Sequence, residues 1–263
     1  MEQLWQPIEI DYDDITSSAN LLQKIIQGQL PALVIKNFYD TKTCQTVSNR
    51  IRNYSKYDCG GFTIKKIGVF LLGYLDNKFD YFLNARNSSH LVPNLFKRFE
   101  DPKEKIKGII SNFMNTKSIK VAKEDGKEYS CGIIRIHENG DYAPLHRDAA
   151  KFEARQFVVS KFHHQLSFVF HIQHSEAGGE LVIYKKRWSV ADEKYRETDF
   201  GYSAKLVSDD LECCKVFPKL GNLIIINPIY YHKILPVKGK LPRISLGMFV
   251  SFSNCFEKAI MWS

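Results

Sequence analysis

The sequence predicts an α+β, mainly β fold: a double-sheet jelly roll with N-terminal helices packed on one of its sheets. Three observations predict it. In the first third of the chain apolar residues recur at helical spacing. From about residue 118 the period shortens to that of strands, and the strands are brief. Turn signals such as Glu138-Asn139-Gly140 and Ala177-Gly178-Gly179 separate them. Many short strands parted by turns mark an antiparallel sandwich or barrel.

The elements follow in order. Residues 16–28 carry Leu21, Leu22, Ile25 and Ile26 on one helical face and end at a glycine. Ala32–Ile35 reads as a short strand, and Asp40 as the cap of a helix over 41–53. Residues 90–115 hold two more helical patterns, parted by Asp101-Pro102, and Asn84–His90 reads as a polar loop. Strands are expected at 118–122, 129–137, 166–172, 180–185, 203–207, 222–227, 232–235 and 243–252. No repeat, low-complexity stretch or Pro/Gly/Ser-rich linker divides the chain. The expectation is therefore one domain over 1–263, with 1–117 mostly helical and 118–263 forming the jelly-roll core.

Composition narrows the class. The 263 residues are 44% hydrophobic and 25% charged, which excludes a disordered chain, a collagen and a coiled coil. Apolar runs such as Val69–Leu72 and Leu223–Ile226 are far short of the ~20 residues of a membrane span. The first residues, MEQLWQPIEIDYDD, carry acid where a signal peptide carries base, so a cytoplasmic protein is expected. Six cysteines form no CxxC pair and read as free thiols. A net charge of +8 fits either an anionic small molecule or nucleic acid. The basic residues are scattered among acids, without a recognition motif, which reads first as a solvated surface, next as attraction of an anionic small molecule, and least as a nucleic-acid site. Nothing in the sequence fixes the oligomeric state.

The chemistry gathers around His146-Arg147-Asp148. Two imidazoles and one carboxylate take one face of an octahedral Fe(II) and leave three positions for a co-substrate and O₂. In a strand, residues i and i+2 point the same way, so His146 and Asp148 can reach one metal. His232, at the end of GNLIIINPIYYH, supplies the second imidazole from a neighbouring strand. An HxD pair alone is weak; a surface histidine in a salt bridge with Asp148 explains it equally. The third element raises the odds. Arg243 opens an apolar strand, and a buried guanidinium needs an anion that its planar fork can grip. Ser245 faces the same side and adds a hydroxyl. Together they suit the distal carboxylate of 2-oxoglutarate.

Other residues compete. A zinc site from His163, His164, His171 and His174 is possible on residue type but has no recognised spacing. His137 reads as a packed or solvent-facing residue. Arg135 lies inside the apolar run GIIRI, where a charge is costly without a partner. It either pairs with an acid structurally or lines the cavity and contacts an acid there.

With these motifs quoted, the chain resembles the Fe(II)/2-oxoglutarate-dependent oxygenases. Within them it is most similar to the small free-standing group of cyanobacterial indole-alkaloid halogenases of the welwitindolinone and ambiguine pathways. The similar stretches are Ile133–Asp148, Leu166–Trp188 with its core EAGGELVIYKKRW, and Gly221–Ser263 with YYHK, PRISLGMFVSFS and WS. The resemblance implies a double-stranded β-helix, iron at His146, Asp148 and His232, and 2-oxoglutarate held by Arg243 with Ser245. It adds a co-substrate contact from the strand before GGEL, with Gln165 and Ser167 as candidates. One departure matters. The halogenases have glycine where this chain has Asp148, and the missing carboxylate vacates the site that chloride takes. Hydroxylation or another oxidation is the outcome implied here.

The resemblance further implies that O₂ and 2-oxoglutarate are consumed while succinate and CO₂ are released. Its pocket walls correspond to parts of 55–88 and to 186–202, the first rich in aromatics and lysines. That composition suits a small carboxylate-bearing metabolite, such as an amino acid, a mycosporine-like compound or an alkaloid. Two other classes stay open at this point: a 2-oxoglutarate oxygenase acting on a protein or nucleic-acid base, and a jelly-roll binding module with no catalysis.

Overall fold

The computed structural model describes residues 5–17, 20–54, 64–114 and 116–263. Two sheets face each other. The major sheet has nine strands among the described residues. Its order is Ile8–Asp11, Ala32–Lys36, Leu223–Ile226, His164–Gln173, Arg243–Phe252, Lys258–Trp262 and Ser118–Val121. Arg243–Phe252 is its longest member together with His164–Gln173, and the two pair along their whole length. On the other edge of Arg243–Phe252, residues 243–247 pair with Ile133–His137 and residues 249–252 with Lys258–Trp262. Lys65–Ile67 adds to the far side of Ile133–His137. The minor sheet runs Cys213–Val216, Leu181–Arg187, Tyr230–Ile234, Ala143–His146, all antiparallel.

The helices cover the outer face of the major sheet, as the patterning predicts. Asp40 caps Thr41–Arg52 by accepting from the Thr43 N–H at 2.9 Å, and that helix buries Cys44, Val47 and Ile51. Asp101 caps Pro102–Phe113, where proline at the first turn forfeits no hydrogen bond. Leu22 and Ile25 of Leu21–Gln27 and Ile106, Ile110 and Phe113 join the same core as Phe168, Ile172, Leu246 and Val250 of the sheet. Each such side chain contributes about 1.5–3 kcal/mol on burial. At one end the two sheets meet through a dry apolar layer: Ala32, Val34, Ile224 and Ile226 against Leu181, Ile183, Cys214 and Val216. At the other end they part around a cavity.

Alternation decides what faces that cavity. On three adjacent strands, every second residue lines it: Ile133, Arg135 and His137; Ser167, Val169 and His171; Arg243, Ser245 and Gly247. The residues between them, such as Ile134, Phe168, Phe170 and Leu246, face the helices.

Four local expectations are corrected. Residues 203–207 form a 3₁₀ turn, Ala204–Leu206, because Leu206 and Val207 donate to Ser203 and Ala204 three residues back instead of to a neighbouring strand. Asn84–His90 is no loop as a whole: the helix Lys78–Ser88 runs through Asn84, capped by Asn77 and anchored by buried Tyr81, Phe82 and Ala85. The strand expected from 129 begins at Ile133, after Gly132 at φ +105°. The first helix is shorter than 16–28, with a 3₁₀ turn at Tyr12–Ser17 before Leu21–Gln27. Residues 55–63 of the expected pocket wall lie outside the described residues. No helix among the described residues is long and apolar enough to cross a membrane.

The GGEL segment has a mechanical reason. Gly178 sits at φ +69°, and a Cβ there would lie 2.0 Å from the Pro236 carbonyl oxygen where Ala177–Gly178 pairs with Val237–Lys238. Gly179, at φ +73°, leaves room for the Arg243 side chain, whose Cδ would be 3.0 Å from an added Cβ. Gly178→Ala should therefore destabilise the fold by at least ~1–3 kcal/mol, the cost of forcing an L-residue into this conformation. Chemical denaturation checks it; an unchanged midpoint would contradict the argument.

Candidate active site

Antiparallel register builds the centre of the site. His146 closes Ala143–His146, His232 lies in Tyr230–Ile234, and the two are direct cross-strand partners. Their rings stand 4.2 Å apart between centroids. Asp148 lies just past the strand's end instead of within it. Its N–H donates to the Pro228 carbonyl at 2.9 Å, which keeps the chain beside the minor sheet. Its Oδ2 is 3.6 Å from His232 Nε2 and 3.9 Å from His146 Nε2. One donor atom from each of the three residues falls within 4.8 Å of the others, and among the described residues this is the one such cluster of His, Cys, Asp and Glu. The alternative zinc set from His163, His164, His171 and His174 is not assembled.

Both imidazoles are aimed in the same way. The Nδ1 atoms of His146 and His232 lie 2.7 and 2.9 Å from the carbonyl oxygens of Pro144 and Tyr230, each two residues back. A carbonyl accepts only, so Nδ1 carries the proton and the Nε2 lone pair points at Asp148 and the space between. Burial, and then the neighbouring His232, push His146 down to about 4, so its imidazole is neutral at ordinary pH. Burial works against ionisation of Asp148. The closeness of His232, His146 and Arg135 outweighs it and holds the carboxyl at about 2. Two imidazoles and one carboxylate on one side of a cavity are a fitting donor set for a divalent iron.

Arg147, between His146 and Asp148, is held by a network of its own. Its guanidinium is buried, lies 4.2 Å over the Trp188 ring and pairs with Glu153 at 3.1 Å and Glu193 at 3.6 Å. Glu193 also accepts from Trp188 Nε1, Tyr202 Oη and Arg196. This network anchors the segment that carries His146 and Asp148.

The cavity beside the triad measures about 170 Å³. Arg243 lines it, is 2% exposed, and has only the Ser245 hydroxyl within reach of its Nη1, at 3.3 Å. Its Nε has no hydrogen-bond partner, and burial followed by the repulsion of Arg135 lowers its pKa to about 9. A buried cation with unused donors fits the carboxylate of an anionic co-substrate. Ser167 and Arg135 also line the cavity; Arg135 lies 5.0 Å over Phe70 and is in no ion pair among the described residues. Gln165 is a correction. Its Oε1 accepts from the Ala150 N–H at 2.9 Å, so it braces the turn after Asp148 and does not line the cavity. Sequence reasoning missed His171 and His137, both 1% exposed and on the cavity wall, while Phe70 and Phe200 of the wall come from the expected segments 55–88 and 186–202. The signal was present for the histidines: both fall on the same alternation as Arg135 and Ser167. Pro144 and Phe200 also border an outer groove of about 1010 Å³ that carries Glu153, Arg155 and Arg196.

Comparison with known proteins agrees with this geometry. The family model described as "carrier-protein-independent halogenase WelO5" matches residues 4–263. Leucinostatins biosynthesis cluster protein S of Purpureocillium lilacinum is 28% identical over 140 residues, 51% of this chain and 56% of that protein. The L-gamma-glutamyl-L-propargylglycine hydroxylase of Streptantibioticus cattleyicolor is 27% identical over 139 residues, 52% of this chain and 50% of that protein. The match thus spans about half the length of these curated relatives. Among solved structures, the N-substituted L-amino acid dioxygenase of Burkholderia ambifaria AMMD in complex with alpha-KG superposes with TM-score 0.60 at 18% identity, covering 92% of this chain and 90% of that one. HygX of Streptomyces hygroscopicus, with nickel and 2-oxoglutarate bound, gives 0.54 at 10% identity, covering 85% of each. At these identities the structural likeness is one of fold, and it is the jelly-roll fold.

His146→Ala and His232→Ala should each reduce iron bound after anaerobic reconstitution from stoichiometric to trace. Each removes one of three donors, while circular dichroism should remain that of the parent. Stoichiometric iron in either variant would contradict the assignment.

Proposed function

Because this chain belongs to the WelO5 family, we propose that it is a non-haem iron, 2-oxoglutarate-dependent oxygenase that oxidises a C–H bond of a small molecule and transfers oxygen, not halogen. The observation that carries the proposal is Asp148, a carboxylate in the place from which a halogenase must clear one. Iron with 2-oxoglutarate and O₂ supplies an oxidant strong enough for unactivated C–H bonds, and succinate and CO₂ leave. The chain's own contribution is geometry. His146, Asp148 and His232 would hold the metal through Nε2 and carboxylate oxygens. Arg243 and Ser245 would hold the distal carboxylate of 2-oxoglutarate, and Ser167 would face its other end. Phe70, Val169 and Phe200 would exclude water from the reacting centre.

The substrate is proposed to be a carboxylate-bearing, amino-acid-like metabolite. A cavity of about 170 Å³ takes the co-substrate and the reacting end of a substrate, and its upper wall carries the cationic Arg135 and Lys66. The outer groove, with charges of both signs, suits the remaining polar body. The named activities of the relatives, on an N-substituted amino acid and on a γ-glutamyl amino acid, lend the reading support. A protein or duplex nucleic acid would need a wider approach than this cavity offers. A binding module without catalysis has no need of the His146–Asp148–His232 triad.

Two measurements test the reading. Anaerobic Fe(II) and 2-oxoglutarate should give the weak visible charge-transfer band of the chelate. Arg243→Ala should raise the Kd for 2-oxoglutarate roughly 30-fold or more, since truncating one member of a buried charge pair costs about 2–5 kcal/mol. A change under about threefold, ~0.7 kcal/mol, would show that Arg243 is not the anchor. Turnover in chloride and in bromide, followed by mass spectrometry, should yield oxygenated product alone. A halogen isotope pattern would overturn the outcome assigned to Asp148. Asp148→Gly should lose most oxygenation and gain little halogenation, because the Arg147 guanidinium is already paired with Glu153 and Glu193 and stacked on Trp188.

A further inference from the structure

Away from the active site, the solvent side of one helix differs from that of its neighbours. Thr41–Arg52 and Pro102–Phe113 bury their apolar residues against the sheet and turn polar ones outward: Lys42, Gln45 and Asn49 on the first, Glu104, Ser111 and Asn112 on the second. Lys78–Ser88 is apolar on two sides. Tyr81, Phe82 and Ala85 form its buried side, yet Phe79 is 70% exposed and Leu83 46%. With the exposed Arg86 they follow at i, i+4 and i+7, so they make one outward stripe about 10 Å long at 1.5 Å per residue. Neither Phe79 nor Leu83 lines the cavity beside His146.

The stripe borders a separate groove of about 770 Å³, between this helix and the hairpin of Lys123–Glu124 and Lys127–Glu128. Buried Phe82, Val92 and Tyr129 give the groove an apolar floor. Its charged lining is Arg86, Lys103, Lys123 and Lys127 against Glu128 alone. Lys103 pairs with Asp101 and Lys123 with Glu128, while Arg86 and Lys127 are in no ion pair among the described residues. Exposed apolar residues beside a concave apolar floor mark a binding surface, and unpaired cations on its rim set the sign of what binds. A second copy docking by the same face would set like charge against like. A bilayer surface is flat and leaves a groove unfilled.

We propose that this face docks an acidic amphipathic helix of another protein. Apolar side chains one turn apart on that helix enter the groove between Phe79, Leu83 and the hairpin, and its carboxylates meet Arg86 and Lys127. The stripe on Lys78–Ser88 fits side chains spaced in the same way on the partner. The site is independent of the oxygenase reading.

The experiment uses the full chain and a labelled synthetic peptide of about five helical turns, with leucines along one face and glutamates on the other. Fluorescence anisotropy should show saturable binding that weakens as salt is raised. A counterpart with lysine for every glutamate should bind about tenfold or more weakly. The double variant Phe79→Ser/Leu83→Ser should weaken the acidic peptide by about tenfold or more, as loss of two central apolar anchors does. Arg86→Glu/Lys127→Glu should do the same and narrow the preference over the basic peptide; it serves alone should the serine variant not fold. Both variants change exposed side chains, so the circular dichroism and the 2-oxoglutarate titration should match the parent. Absence of binding, equal binding of the two peptides, or unchanged affinity in a folded variant overturns the proposal. So does stronger retention on phosphatidylglycerol-containing vesicles than on the peptide, which marks a membrane surface. Dimerisation of the parent that the serine variant abolishes overturns it too, since the occupant is then a second copy.

Discussion

The fold is organised around a burial that is unfavourable on its own. The Arg243 guanidinium is 2% exposed and faces a serine hydroxyl and two neutral histidines instead of a carboxylate. Alternation along three paired strands puts it there: the same register that sends Ile244 and Leu246 into the helical core sends Arg243 and Ser245 inward between the sheets. A slip of one residue would place a cation in the apolar core. The outer face must therefore be thoroughly apolar and well covered, and it is, by Leu22, Val47, Ile110 and their neighbours. The helical third of the chain is what makes a charged inner face sustainable.

The minor sheet solves a different problem, that of aim. A metal site needs donor atoms fixed to fractions of an ångström, and each histidine here is fixed twice. Cross-strand pairing sets the two backbones opposite each other, and each Nδ1 is held by the carbonyl two residues back. Asp148 has no strand to hold it. Its backbone is tied to Pro228, and the Arg147 side chain beside it is locked among Trp188, Glu153 and Glu193. The polar residue between the two ligands thus acts as a fastening for the loop.

Much of this was legible in the sequence, and the misses have a common cause. The jelly roll and the capped helices follow from periods of 2 and 3.6 and from Asp40 and Asp101, which act within a few residues. The triad was legible because its members carry chemistry that few structural roles require. Periodicity, however, tells which face a residue joins and not what lies over that face. His171 looks like one more strand histidine until Arg243 is seen across Ser245. Gln165 shares the alternation of Ser167 but sits at the strand's end, where the nearest donor is the Ala150 N–H and not a cavity. Asn84–His90 looks like a loop because its polar residues fall on the outer side of a helix whose inner side, Tyr81, Phe82 and Ala85, lies earlier. The apolar residues of 203–207 satisfy their backbone locally, so no ladder forms.

Family membership and Asp148 point to different products, and charge alone does not separate them. A halide beside two histidines and a carboxylate beside two histidines give the metal the same single negative charge from this position. The difference is attachment. A halide is held by its surroundings and can leave with the substrate. The Asp148 carboxylate is bonded to a backbone that is itself pinned to Pro228, so it can be neither displaced nor transferred. A site with that anion retains it through every cycle, and what reaches the substrate must come from the remaining open positions. On the proposed reading, Asp148 would thus move the choice of transferred atom away from the solution's ions and back to O₂.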